Sequence, residues 1–292
     1  MLNEHLIANL TRLKYHRPKY PGETCLVNPK PYLCLPFRRE DISRSQLRPT
    51  QVGIAEKIDY KISEGWYYSR DIARFVPYRH AAIDFALPYL FPVAAPCDGF
   101  AMSSYYSYCL VDRRGNIRKV NGKMLSFGIG YFVQIYNPEI NRFIQLGHLS
   151  DIHEKIPFSI PLKQRNRWEP TNYIQTIEKI ISENNPSVVF VKTGETVGYV
   201  GYSGLCYEDD YKEGYKRPYK IDPRLTGTWN IPHIHMDEFQ RNYRTGKKDW
   251  RRDPYGIYSW RSAYPTHANS AFIGNEPLFL TDANNRPFYA DQ

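Results

Sequence analysis

Residues 130–150 read Gly-Tyr-Phe-Val-Gln-Ile-Tyr-Asn-Pro-Glu-Ile-Asn-Arg-Phe-Ile-Gln-Leu-Gly-His-Leu-Ser. The runs 131–136 and 143–149 are short, rich in aromatic and β-branched residues, and separated by an Asn-Pro breaker, so each reads as a strand. The same pattern repeats in both directions. Upstream lie 67–76, 83–86, 92–95, 99–106 and 109–112; downstream lie 188–192, 196–201 and 231–239. Arg-Gly-Asn at 114–116 and Asn-Gly at 121–122 mark turns of a hairpin-like excursion. Antiparallel pairing is the natural solution for so many short strands. The expected fold class is therefore mainly β, a compact antiparallel sheet with long loop insertions and a few short helices.

Composition agrees. The 292 residues include 25 Tyr, 22 Pro and 18 Gly, a loop-rich and strand-favouring mixture. With 42% hydrophobic residues the chain can bury a sizeable core, which excludes a disordered protein. A formal charge of +9 and a pI near 9.1 predict attraction to a polyanion. The basic pairs Arg38-Arg39, Arg113-Arg114, Lys247-Lys248 and Arg251-Arg252 are scattered, which argues against sequence-directed nucleic-acid binding. Five cysteines with no Cys-x-x-Cys pair point away from a zinc ribbon or redox motif; a Cys25–Cys34 bridge is open in an oxidising compartment. No signal peptide is visible at the N-terminus, where Asn3, Glu4 and His5 interrupt the apolar residues, and no run approaches the roughly 18 apolar residues of a membrane span.

Three regions are expected. Residues 1–60 form an N-terminal extension, with an amphipathic helix over 2–14 and then an irregular, Pro-rich lead-in over 15–60 carrying one short element at 50–57. Residues 61–245 form the main domain, with insertions at 151–190 and 206–230; a helix is expected at 172–184 inside the first. Residues 246–292 read as a C-terminal packing tail.

Of eight histidines, four fall in three small motifs: His80-Ala-Ala-Ile-Asp84, Leu146-Gly-His148-Leu-Ser150 and Pro232-His233-Ile-His235-Met236. In a strand, residues two apart share a face roughly 6 to 7 Å apart, so both rings of His233 and His235 look into one cleft. Zinc catalysis needs three protein ligands and an open fourth position. His80 and Asp84, with one of the paired histidines, satisfy that count. In an extended strand His80 and Asp84 would lie roughly 13 Å apart, so the backbone between them has to turn, and the small Ala81 and Ala82 permit it. No His-Glu-x-x-His helix supplies a glutamate base, which leaves His148 and His233 as the proton-transfer candidates. Of the carboxylates after the paired histidines, Asp237 shares their strand parity and is favoured over Glu238 as a partner that orients a ligand ring. Tyr202 and Tyr207 are further candidates to donate to a transition state. Gly194–Gly204 lacks the phosphate-binding pattern and reads as strand and turn scaffold, and Glu208-Asp209-Asp210 reads as a solvated loop.

Taken together, His80-Ala-Ala-Ile-Asp-Phe-Ala-Leu-Pro88, Pro92-Val-Ala-Ala-Pro-Cys-Asp-Gly99, Gly130-Tyr-Phe-Val-Gln-Ile135, His148-Leu-Ser150, Gly194-Glu-Thr-Val-Gly-Tyr-Val-Gly-Tyr-Ser-Gly204 and Pro232-His-Ile-His-Met236 occur in an order that resembles the lysostaphin-type, LytM-like zinc endopeptidases over about residues 78–240. The resemblance implies a LytM-like β fold of the duplicated hybrid motif type and one zinc ion on His80, Asp84 and His235. It also implies catalytic roles for His148 and His233, hydrolysis of peptide bonds in peptidoglycan, and a place in the cell envelope or outside the cell. Two departures stand beside the metal: Ala82 where the family has Gly, and Leu90-Phe-Pro-Val93 where it has Gly-Thr-Pro-Val. A non-catalytic LytM-like protein that binds cell wall or activates another hydrolase is the alternative; here every ligand and catalytic histidine is present, which favours the enzyme. A basic polyanion-binding module is a third reading, and it predicts no stoichiometric metal and steep salt dependence.

Overall fold

A computed structural model describes residues 30–45, 60–65, 80–109, 119–120, 123–140, 142–158, 188–201, 203, 206–207, 232–241, 248–257, 264 and 277–292. Its elements are helix α1 (Arg39–Ser45), then strands β1 (Lys61–Glu64), β2 (Ile83–Ala86), β3 (Pro92–Ala94), β4 (Gly99–Cys109), β5 (Lys119–Val120) and β6 (Lys123–Asn137). There follow β7 (Arg142–Ile152), β8 (Val189–Val191), β9 (Thr196–Val200), β10 (Cys206–Tyr207), β11 (His233–Arg241) and β12 (Lys248–Arg252). The protein is mainly β, as its strand pattern predicts. The expected helices at 2–14 and 172–184, the element at 50–57, the strand at 67–76, the turns at 114–116 and 121–122, Tyr202, and the loop 208–210 lie outside the described residues.

The main path of the sheet runs β1-β2-β11-β7-β6-β4-β8, every neighbour antiparallel. β9 joins β3 to β7, and β12 lies beside β11. Two differences from the sequence reading have physical causes. β4 runs beyond the expected 99–106 to Cys109, because an irregularity between Tyr106 and Tyr108 absorbs the break, and residues 110–112 of the expected strand 109–112 lie outside the described residues. The stretch 15–60, expected to be irregular apart from its short element at 50–57, contains α1. Only Ile42 of this helix is an apolar residue in the core, so there was no apolar period to read. Its N-terminus is held from the far end of the chain, where Arg39 N and Glu40 N donate to the Asp291 carboxylate at 2.9 and 3.2 Å.

Strand alternation gives the sheet two distinct faces. On one, Ile83, Phe85, Val133, Ile135, Ile144, Leu146, Ile234 and Met236 are fully buried. Leu33, Leu35 and Phe37 cover them with Leu278, Phe279 and Tyr255, and Leu33 bridges Phe279 in parallel. The Phe37 ring lies 5.0 Å from Tyr60 and 5.5 Å from Phe85, so the early and late segments complete one core. Burying each such side chain contributes about 1.5–3 kcal/mol before entropy is subtracted. The same face holds a polar group, Glu238, which accepts from Nε and Nη2 of the buried Arg142 guanidinium and from Tyr32 Oη at 2.9 Å. On the opposite face Phe143 and Phe239 stack at 5.4 Å, Gln134 donates to Gln145, and His233, His235 and Asp237 project from β11. Among the described residues no helix is long and apolar enough to cross a membrane.

Candidate metal centre

His80, Asp84 and His235 converge, each offering one ligand atom within 4.8 Å of the others. Two backbone features do this. The chain bends at Ala82, which is fully buried, so His80 and Asp84 meet instead of lying a strand length apart: His80 Nε2 is 3.2 Å from Asp84 Oδ1. Across the sheet, His235 sits directly opposite Asp84 in the β11–β2 register, which places His235 Nδ1 3.0 Å from the same oxygen. His80 Nε2 and His235 Nδ1 are 3.2 Å apart. On its other side the His80 ring donates Nδ1–H to the Gly65 carbonyl at 2.8 Å, which leaves Nε2 as a lone-pair donor.

Three electron-rich atoms aimed at one another need a proton or a cation between them. Their separations of 3.0, 3.2 and 3.2 Å are close to the roughly 3.3–3.4 Å expected between donors of a tetrahedral ion with bonds of about 2.0–2.1 Å. Two imidazoles and one carboxylate are a donor set suited to zinc with one position left for solvent. The residues present therefore fit such an ion. Burial raises the Asp84 carboxyl, yet the imidazoles of His80, His233 and His235 hold it well below the usual carboxylate range. Burial lowers His235 against the opposing pull of Asp84, and the buried Asp237 carboxylate adds a smaller upward pull. Asp237 is thus on the histidine face, as its parity predicts, while Glu238 is taken up by Arg142 and Tyr32 behind it.

His148 and His233 complete the cluster. Their ring centroids are 4.7 Å apart, His148 is 5.6 Å from His235, and His233 Nε2 lies 3.7 Å from Asp84 Oδ2. His148 reaches this face because β7 bulges. Leu146 pairs with Val133 and Leu149 with Tyr131, so three steps on β7 match two on β6. Both leucines stay in the core, and His148, at φ 59°, is turned outward to join Gly147 on the side of His235. Burial, and after it the neighbouring His233 and His235, holds the His148 ring well below the ordinary imidazole value, so it stands neutral at pH 7. Ser203, which the sequence reading treated only as scaffold, lies against it: the His148 ring donates Nδ1–H to the Ser203 carbonyl at 2.7 Å. The departure at Leu90 keeps a glycine-like backbone, with φ 64° on an exposed apolar residue whose N–H donates to the Val200 carbonyl of β9 at 2.8 Å. His153 lies outside the cluster. The catalytic candidates Tyr202 and Tyr207 have no described side chain.

No protein-family model matches the chain, and no curated protein does either. Solved structures that resemble it include a point mutant of the catalytic domain of the prophage-encoded M23 protein EnpA from Enterococcus faecalis, at 16% identity over 63% of this chain and 83% of that one, TM-score 0.31. The antimicrobial peptidase lysostaphin from Staphylococcus simulans matches at 15% identity over 67% of this chain and 47% of that one, TM-score 0.33. Helicobacter pylori Csd3 matches at 14% identity over 78% of this chain and 34% of that one, TM-score 0.32. The chain thus spans about half of that lysostaphin and a third of that Csd3. At these identities and TM-scores, what the site can do is read from its own side chains.

Proposed function

We propose that this protein is a zinc-dependent endopeptidase that hydrolyses peptide bonds in bacterial peptidoglycan, acting at the cell envelope or outside the cell. The observation that carries the reading is the triangle of His80 Nε2, Asp84 Oδ1 and His235 Nδ1, at 3.0 to 3.2 Å, with two further imidazoles against it. His80, Asp84 and His235 would hold the metal. When bound, zinc brings the pKa of a coordinated water to about 7 and polarises a scissile carbonyl. His148, neutral and with Nδ1–H spent on the Ser203 carbonyl, presents Nε2 as a base that accepts a proton from the attacking water. His233, beside Asp84 and His148, is placed to donate a hydrogen bond to the charge developing on the carbonyl oxygen, while the proton that His148 took from the water passes to the leaving amine. Peptidoglycan as substrate rests on the order of the sequence motifs and on the basic charge of the chain, which favours an anionic wall.

The test is incubation of the metal-loaded full chain with defined peptidoglycans, with mass analysis of the released muropeptides. Peptide-bond cleavage that stops on chelation and returns with zinc is expected. Stoichiometric zinc without cleavage of any wall chemistry would contradict the enzyme and favour a non-catalytic wall-binding protein. Absence of zinc together with binding that weakens steeply with salt would favour a polyanion-binding module.

A further inference from the structure

The bulge that turns His148 toward the metal ligands breaks the ladder between β6 and β7, and a buried hydroxyl from elsewhere in the chain fills the gap. Tyr131 N, which a regular strand would pair with β7, donates to Ser203 Oγ at 2.9 Å. Ser203 Oγ in turn donates to the carbonyl of Leu149, the residue opposite Tyr131. One side chain thus restores both halves of the interrupted pairing, and its own carbonyl receives the His148 ring at 2.7 Å. Gly130 lies against Ser203 with φ +68°, and a Cβ built there would stand 2.3 Å from the Ser203 carbonyl carbon and Oγ. Only glycine allows both that backbone and that approach.

We propose that Ser203 is the positioning residue of the site: its hydroxyl clips the β6–β7 bulge shut, and its carbonyl fixes His148 as the Nδ1–H tautomer with Nε2 facing the metal ligands. This rests on the reading of His148 as a proton acceptor, but the structural half stands without it. A carbonyl oxygen can only accept, so a ring nitrogen 2.7 Å away must carry the proton, and in a neutral imidazole the other nitrogen is then bare. Removing the hydroxyl leaves the Tyr131 amide and the Leu149 carbonyl without this partner inside the protein. The bulge then loses the clip that keeps Ser203 O under the ring. Threonine keeps the hydroxyl and should keep the tautomer.

The experiment is nitrogen NMR of the full chain with ¹⁵N-labelled histidine rings, zinc-loaded and metal-free, with His148→Ala used to assign the signal. Wild type should show His148 with Nδ1 protonated and Nε2 unprotonated. Ser203→Ala should show exchange between tautomers, unchanged zinc stoichiometry, and kcat on peptidoglycan lowered about 10- to 100-fold with KM within about twofold. Ser203→Thr should restore both tautomer and kcat. An Nε2–H tautomer in wild type overturns the proposal outright, and this arm remains decisive if Ser203→Ala does not fold. A single Nδ1–H tautomer in Ser203→Ala, or wild-type kcat despite a lost tautomer, also overturns it. If no peptidase activity exists at all, the ring spectra still decide the positioning claim, so the two failures are told apart.

Discussion

Two buried carboxylates, Glu238 on β11 and Asp84 on the neighbouring β2, face opposite sides of the sheet, and the company they keep differs. Glu238 points into the core face, where Arg142 Nε and Nη2 and the Tyr32 hydroxyl meet it. Asp84 points to the other face, toward His80, His233 and His235. Arg142 cannot give up its proton, so its pair with Glu238 is a permanent closure that ties β7 to β11. Imidazoles can exchange a proton for a metal ion, so the group around Asp84 is one that chemistry can open. The lesson is that burial alone does not mark a functional carboxylate; what distinguishes Asp84 is that its counter-groups are exchangeable.

The largest effects are expected at the metal ligands. Asp84→Ala and His235→Ala should each abolish stoichiometric zinc and all metal-dependent turnover, read by elemental analysis and muropeptide release. Zinc retained by either would put the ion elsewhere. His148→Ala should keep zinc and lose about 10²- to 10⁴-fold in kcat, the range for a lost general base; wild-type-like release would remove His148 from the mechanism.

On the closed face the expected loss is stability, with the metal untouched. Glu238→Ala breaks a buried ion pair by removing the carboxylate from the Arg142 guanidinium and should cost about 3–5 kcal/mol in denaturant unfolding. Folded protein at low temperature should still bind one zinc. Loss of zinc at full folding would mean that the two faces are not separable as described.

The smallest expected effect is a pH dependence confined to the histidine face. In the metal-free chain, burial lowers the folded-state pKa of His148 and His235 below the ordinary 6.5. As pH falls through about 6.5, the unfolded chain takes up protons that the folded chain refuses, so stability drops. Asp84, held low, adds to that loss once pH falls below its ordinary value near 3.8. Thermal unfolding of chelated protein should show a lower midpoint at pH 5.5 than at pH 7.5, and zinc, which binds only deprotonated rings, should steepen the slope. An unchanged midpoint would mean that these rings are not buried as neutral bases.

How much of this was legible in the sequence follows from which contacts are periodic. The His-x-His parity of His233 and His235, the side chosen by Asp237, and the need for a bend at Ala81-Ala82 are consequences of strand spacing, and the structure has all three. The spacing rule did not place His148. Gly147 lies opposite His235, so regular alternation would turn His148 into the core; only the bulge between Leu146 and Leu149 reverses it. Its only local trace is that both leucines, three apart, belong to one core. Ser203 was illegible for a related reason, since its role lies in bonds to Tyr131, Leu149 and His148 that no sequence period encodes. Helix α1 escaped because its N-terminal partner, Asp291, is at the other end of the chain.

Anomalous diffraction at the zinc edge from crystals of the full chain decides whether His80, Asp84 and His235 share one ion. A single peak about 2.0–2.1 Å from His80 Nε2, Asp84 Oδ1 and His235 Nδ1 is expected. A zinc-loaded crystal with no peak there, or with its peak on other residues, would contradict a shared ion.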